Sequence, residues 1–245
     1  MPSLGKKIFH VCMIAIIIVG ILTVSAVLIL RYQVIGETNL PFVLSKITII
    51  SSTGGKNSED INNKWNISVE QNNDIYLYIA KNDRFGKTKI IENVTIENFS
   101  IQNNNEFTTK IYMPSSSAVD MFNNSEETTS NKITYMGDLQ SDLKNLKISN
   151  QGGIVAFRFT NQNVGNYISN EVQEINYNEL LKLCSVSEEN IKAKVTFDLN
   201  IKLTDGKEYK STISLDVPVE NIIDLGTTNK EITDVSEFIF KRVEK

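Results

Sequence analysis

Between residues 8 and 30 the chain reads IFHVCMIAIIIVGILTVSAVLIL, a run without a single charged side chain. As a helix rising about 1.5 Å per residue it extends roughly 35 Å, enough to cross a hydrocarbon core of about 30 Å with some tilt. His10, Thr23 and Ser25 are its polar members, and His10 lies near one end, within reach of the interface. Lys6 and Lys7 precede the run with no acid beside them, which by the positive-inside bias predicts a cytoplasmic N-terminus. Arg31 and Tyr32 follow it and are expected at the outer interface, where an aromatic ring is at home. Arg31 runs against the charge bias, but two lysines and the terminal amine outweigh it.

A cleaved signal peptide is the rival reading. Its apolar region usually covers about 7–15 residues and ends at small side chains. Val24-Ser25-Ala26 resembles such a cleavage site, yet Val27-Leu28-Ile29-Leu30 carries the apolar run beyond it. An uncleaved signal-anchor is therefore expected, with the lipid bilayer as its partner through residues 8–31. The organisation that follows is a cytoplasmic tail over 1–7, a transmembrane anchor over 8–31, a juxtamembrane linker over 32–41 and an extracytoplasmic body over 42–245. The expected location is the cell membrane, single-pass, with the C-terminal body outside.

Charge narrows the partners. The chain has 25 basic and 29 acidic residues, and the first 31 positions hold three of the bases and none of the acids. The remainder thus carries 22 basic against 29 acidic side chains, a net of −7. Such a balance argues against nucleic acid, whose phosphates require a basic surface. The single histidine, His10, lies in the apolar run, so the body has none with which to build a Ser-His-Asp triad, a Cys-His pair or a histidine-bearing zinc site. Cys12 sits in the run and Cys184 stands alone outside it, so the body forms no disulfide of its own.

The body reads as sheet. Over 191–217 Ala193, Val195, Phe197, Leu199, Ile201 and Leu203 alternate with polar residues, and after Asp205-Gly206 the alternation resumes with Tyr209, Ser211, Ile213, Leu215 and Val217. A two-residue loop would set the two apolar sets on opposite faces. A three-residue loop, Thr204-Asp205-Gly206 with Gly206 left-handed, places Ile201 opposite Tyr209 and Phe197 opposite Ile213. A second hairpin is expected over 65–80, with Gln71-Asn72-Asn73 as its turn, Val69 facing Ile75 and Glu70 facing Asp74. It sends Tyr76 and Tyr78 to the face away from Trp65, Ile67 and Val69. Further strands are expected at 42–51, 88–101, 107–113, 132–136, 154–160 and 237–243, the one through Ile154-Val155-Ala156-Phe157 being central because it is apolar on both faces.

Two short helices are predicted. The one over 138–145 brings Leu139, Leu143 and Leu146 into line. The one over 176–184 starts with Asn176 three before Glu179, in the manner of a capping box, and buries Leu180, Leu183 and Cys184. The polar stretch 114–131 reads as a long loop and a candidate sub-boundary. The fold class is mainly β: an N-terminal transmembrane helix followed by a β-sandwich-like body with two short helices.

At Gln33-Val34-Ile35-Gly36-Glu37-Thr38-Asn39-Leu40-Pro41-Phe42 and Ile148-Ser149-Asn150-Gln151-Gly152-Gly153-Ile154-Val155-Ala156-Phe157 the chain resembles uncharacterised single-pass membrane-anchored proteins of low-GC Gram-positive bacteria. Neither segment is a functional motif. The resemblance implies a membrane address and brings no activity or site.

Candidate chemistry is sparse. Tyr76 and Tyr78 form an aromatic pair suited to stacking on sugar rings or on a partner's apolar ridge, unless their strand turns that face into the sandwich. Acids and amides gather at Glu59-Asp60 with Asn62-Asn63, at Asn73-Asp74 and at Asn82-Asp83; their oxygens suit calcium, but none has the spacing of a calcium loop. No other cofactor is suggested. Asn150-Gln151-Gly152-Gly153 precedes a strand, which makes it a turn rather than a phosphate loop. Cys184 is expected to be a packed thiol and Arg158, flanked by Phe157 and Phe159, to partner a carboxylate. No catalytic residue is nominated, and the expected function is a non-enzymatic binding module for an envelope protein or wall polymer. A structural subunit of an envelope assembly, docked by an edge strand, is one alternative. A histidine-independent glycan hydrolase with paired acids in a cleft is the other.

Overall fold

The computed structural model describes residues 4–57, 65–115, 121–123, 125–128, 130–139, 146–169 and 176–243. A helix, α1 (Leu4–Ile35), leads into two six-stranded sheets. Numbered along the chain, the first sheet consists of β1 (Phe42–Asn57), β2 (Asn66–Lys81), β4 (Thr108–Met113), β5 (Glu126–Glu127), β8 (Gly152–Ile168) and β11 (Thr227–Ile232). Its spatial order is β11-β1-β2-β8-β4-β5, antiparallel throughout. The second sheet holds β3 (Ile91–Asn103), β6 (Lys132–Gly137), β7 (Leu146–Ile148), β9 (Ala193–Leu203), β10 (Glu208–Asp216) and β12 (Lys241–Arg242), in the order β12-β10-β9-β3-β6-β7. Among the described residues only β6 and β7 run parallel.

Alternation fixes the inward faces, and its interruptions mark the bulges. In β9 and β10 the three-residue loop holds: Ile201 pairs with Tyr209 and Phe197 with Ile213, and Gly206 has φ +82°. In β1 Phe42 and Leu44 are buried, then Ile47 and Ile49, and the change of phase coincides with a bulge between Leu44 and Lys46. In β3 the inward set passes from Val94 and Ile96 to Phe99 and Ile101 across a bulge at Asn98, a residue type that tolerates its φ of +58°. Between the sheets Phe157 meets Phe197 at 5.0 Å between ring centroids, and Phe99 meets Phe157 at 4.9 Å.

The expected hairpin over 65–80 does not form. Those residues make one continuous strand, β2, paired with β1 along one side and β8 along the other. Ile67, Val69, Gln71, Asn73, Ile75, Leu77 and Ile79 all keep one phase and all are buried. Gln71 and Asn73 stay inside because their amides have partners. Gln71 donates to Ser51 Oγ at 3.2 Å, Ser51 Oγ donates to Asn73 Oδ1 at 2.8 Å, and Asn161 Nδ2 donates to Gln71 Oε1 at 2.9 Å. Thr109 donates to Asn161 Oδ1 at 2.9 Å and receives Asn103 Nδ2 at 3.0 Å, which carries the chain of bonds across to the second sheet. With no turn at 71–73, Glu70 and Asp74 do not face each other: Glu70 lies 3.3 Å from Lys56, and Asp74 binds Arg158.

This polar belt divides the core. On one side lies the main cluster between the sheets; on the other a smaller cluster of Ile67, Val69, Val164, Leu180, Leu181, Ile191, Val219 and Ile222. The small cluster is roofed by a 3-10 turn (Tyr177–Glu179) continuing into α2 (Leu180–Leu183), and by α3 (Ile222–Leu225). Asn176 caps this start as expected, accepting from Asn178 N and donating to Glu179. The inward residue is Leu181 and not Leu183, which is exposed, because the first turn is 3-10 and shifts the face.

Other expectations need correction. Of the helix over 138–145, residues 140–145 lie outside the described residues; Asp138 and Leu139 form a turn, and Leu146 opens β7. The strand over 237–243 shortens to β12, and β11 was not expected. The apolar helix continues past residue 31 to Ile35, taking the first residues of the linker.

Tyr135 on β6 closes a gap in the first sheet. Extending the β4–β8 register by two residues would set Ala156 opposite Pro114, which has no N–H to give. The buried Tyr135 hydroxyl serves both groups instead, donating to Ala156 O at 2.6 Å and accepting from Ala156 N at 2.9 Å. Burial pushes its pKa far above the ordinary phenol range, against the opposing effect of the Ala156 bond. Tyr135→Phe should lower unfolding free energy by about 1–3 kcal/mol, since it strands both backbone groups. The contribution of the neutral phenol is fully present below the unfolded pKa of about 10 and is lost as pH climbs from there toward the folded value. Urea titrations above that pH should therefore show a shallower decline in Tyr135→Phe than in the parent. Asn161→Ala should cost about 2 kcal/mol or more by leaving Gln71 Oε1 and the Thr109 hydroxyl proton without their partner, and Gln71→Ala combined with it should cost less than the sum.

Candidate functional site

β2 is an interior strand of the first sheet, so its outward residues lie at mid-sheet, and they include Asp74, Tyr76 and Tyr78. Both tyrosines are half-buried on the outer face, away from the core. Tyr78 lies beneath Lys46, whose Nζ is 4.4 Å from the ring centroid and 2.8 Å from Glu231. Tyr76 meets Phe122 edge-on at 6.2 Å, and Phe122, from the turn at 121–123, is itself buried. The Arg158 guanidinium lies 4.7 Å from the Phe122 ring and binds Asp74 through two bonds of 2.5 and 2.8 Å. Arg158 thus has the carboxylate partner expected of it. The sequence reading put the two tyrosines on one face, and they are on one face. The turn at 121–123 thus brings Phe122 against Tyr76, while Lys46 lies over Tyr78.

The opposite strand ends carry a different surface. β2 runs roughly 50 Å from Asn66 to Lys81 at about 3.3 Å per residue, so the roof over the small cluster lies far from the Lys81 end. On that roof Tyr177, Leu183 and Leu225 are 46, 49 and 60 % exposed, on three elements that pack against one another. Gly226 ends α3 at φ +69°, and a Cβ there would come within 2.4 Å of Asn178, which joins α3 closely to the 3-10 turn. Sequence reading missed this patch. The available signal was Ile222-Ile223-Asp224-Leu225 closed by Gly226, a short helix with a glycine stop.

Cys184 ends α2 and packs against Gly165, where a Cβ would lie 2.8 Å from that of the cysteine. Burial pushes its thiol pKa up. An open groove of about 570 Å³ at the ends of β3, β9 and β10 brings Asp216 and Glu220 together with Lys192 and Lys194. Of the oxygen-rich segments considered for calcium, 59–63 lies outside the described residues. Asn73 and Asp74 belong to a strand, and Asn82 Oδ1 accepts from the backbone N–H groups of Arg84 and Phe85. Asn150 and Gln151 form a turn, with Asn150 donating to Ile91 O at 2.8 Å, and Gly152, at φ +110°, opens β8.

The flanks of the apolar run all fall within α1. Lys6 and Lys7 lie in its first turns, and Arg31 and Tyr32 in its last. From Ile8 to Ile35 the helix is long and apolar enough to cross a membrane, and none of it is buried against the rest of the chain. Gly36, at φ +74°, ends it. The body grips that end: Glu37 N donates to Phe240 O and Arg242 N to Tyr32 Oη, each at 2.8 Å.

No protein-family model matches the chain, and no curated protein or solved structure matches it significantly. A raised thiol pKa and tight packing set one expectation: in a Cys12→Ser background, alkylation of Cys184 near pH 8 should run at least about tenfold slower in the folded protein than in urea.

Proposed function

We propose that this chain is a non-enzymatic, single-pass membrane protein that holds a β-sandwich outside the cell membrane and presents its far end to another protein of the envelope. The observation that carries the reading is a polarity of the molecule. A fully exposed apolar helix is hydrogen-bonded to one end of the sandwich, and Tyr177, Leu183 and Leu225 are exposed at the other. An apolar helix without protein cover needs lipid. Lys6 and Lys7, with no acid nearby, favour a cytoplasmic N-terminus and hence an external body. Clustered aliphatic and aromatic side chains suit a protein surface better than a hydrated polymer.

An edge-strand docking subunit is the second reading, favoured by one observation. β12 covers only Tyr209 and Lys210 of β10, so from Thr212 to Asp216 the outer edge of β10 has no strand beside it among the described residues. The two readings separate by photo-crosslinking in native membranes, with benzoylphenylalanine in place of Leu225 or of Thr212. A discrete heavier adduct from position 225, abolished by Leu183→Glu, is expected. An adduct from 212 alone would favour the edge strand, and none from either position would overturn both.

A further inference from the structure

We infer that the helix-bearing end of the sandwich is a cationic face that rests on the bilayer and binds anionic phospholipid headgroups. The inference rests on the proposed membrane anchor and adds a second, independent contact with the same membrane.

The orientation comes from two hydrogen bonds. Phe240 O receives Glu37 N, and two residues later Arg242 N reaches Tyr32 Oη, so β12 descends along α1 toward the apolar run. β10 is antiparallel to β12, with Tyr209 opposite Arg242 and Lys210 opposite Lys241. Followed from Lys210 to Glu208, β10 therefore also descends, and the β9–β10 loop lies lowest. The loop at 82–90 is held at the same level: Thr204 N donates to Ile90 O at 3.1 Å and Lys89 binds Asp205 at 2.7 Å. Asn82 N donates to Pro41 O at 2.9 Å, which ties that loop to the segment leaving the helix.

These segments bring Arg84, Lys87, Lys207, Lys241 and Arg242 together, beside Arg31 of the helix. None of the six forms an ion pair among the described residues, and all but the half-exposed Lys207 are exposed. Asp83, Glu37, Glu208 and Glu237 are the acids near them that have no ion pair among the described residues, four against six cations. A surplus of positive charge thus faces the membrane in a body whose net charge is −7. Lys241 and Arg242 also line an open groove of about 500 Å³ with Lys210, Thr212, Glu237 and Val243, within the size range of clefts that hold small ligands. Leu139 adds an apolar contact. It is 71 % exposed and its N–H donates to Asn150, which in turn holds Ile91 at the start of β3. Basic side chains close to an anionic bilayer, with an apolar residue among them, match the chemistry of peripheral membrane contact.

The test uses the full chain reconstituted into vesicles of phosphatidylcholine alone or with added phosphatidylglycerol, read by amide hydrogen exchange and by flotation. Exchange over 84–90 and 204–207 should slow when phosphatidylglycerol is present, by an amount on the order of fivefold per engaged basic residue. High salt should reverse the protection, and Arg84→Gln with Lys87→Gln and Lys207→Gln should remove it while the chain still floats with both vesicles. Flotation with both vesicles and identical exchange would overturn the cationic face and leave the anchor standing. Failure to float with either would overturn the anchor and this inference together. Equal protection from a soluble polyphosphate on phosphatidylcholine vesicles would overturn the assignment to lipid.

Discussion

Four buried polar side chains, Ser51, Gln71, Asn73 and Asn161, hold the middle of the first sheet together. Each would cost about 1–3 kcal/mol if left without a partner in that setting. Bonded to one another and to Thr109, they let β1, β2 and β8 run unbroken through the polar layer instead of turning away from it. A slip of one residue in β2 would turn Gln71 and Asn73 outward and strand their partners, so the belt specifies register as firmly as the aliphatic faces do. It also separates the main core from the small cluster beneath α2 and α3, which gives the sandwich a distinct far end.

The other end is defined by the helix. Gly36 halts α1 in a left-handed conformation, and the body closes on the turn at once, with a Cβ at Gly36 meeting Phe240 O at 2.4 Å. The short connection and its two hydrogen bonds tie the exit of the helix to β12. Such an attachment sets which strand ends lie beside the apolar helix and which lie away from it. That polarity is what gives the far apolar patch and the basal cations different meanings.

Legibility followed how much each segment depended on partners. The β9–β10 hairpin was readable in register because its alternation is unbroken and only an odd-length loop puts both apolar sets on one side. Over 65–80 the inward face of β2 was read correctly at every apolar position, but Gln71 and Asn73 looked like a turn. Polar residues in the inward phase signal a turn unless something inside accepts them, and their acceptors lie on β1, β4 and β8, distant in sequence. Parity sets Tyr76 and Tyr78 on the face opposite Ile75, Leu77 and Ile79, but whether that face is open or covered depends on Phe122 and Lys46, which are remote in sequence. Leu183 and Leu181 exchanged roles because a single 3-10 turn rotates all that follows.

The sequence by itself determined the apolar helix, most of the alternating strands, and the pairing of β9 with β10. These are properties of neighbours along the chain, governed by a period of two or by continuous apolarity. The tertiary structure alone decided which polar groups are buried, what lies over each tyrosine, where the exposed leucines gather and which basic residues share the helix end. Those outcomes depend on partners brought together from remote segments, and the free energy of a buried amide or an exposed cation is set by what it meets there.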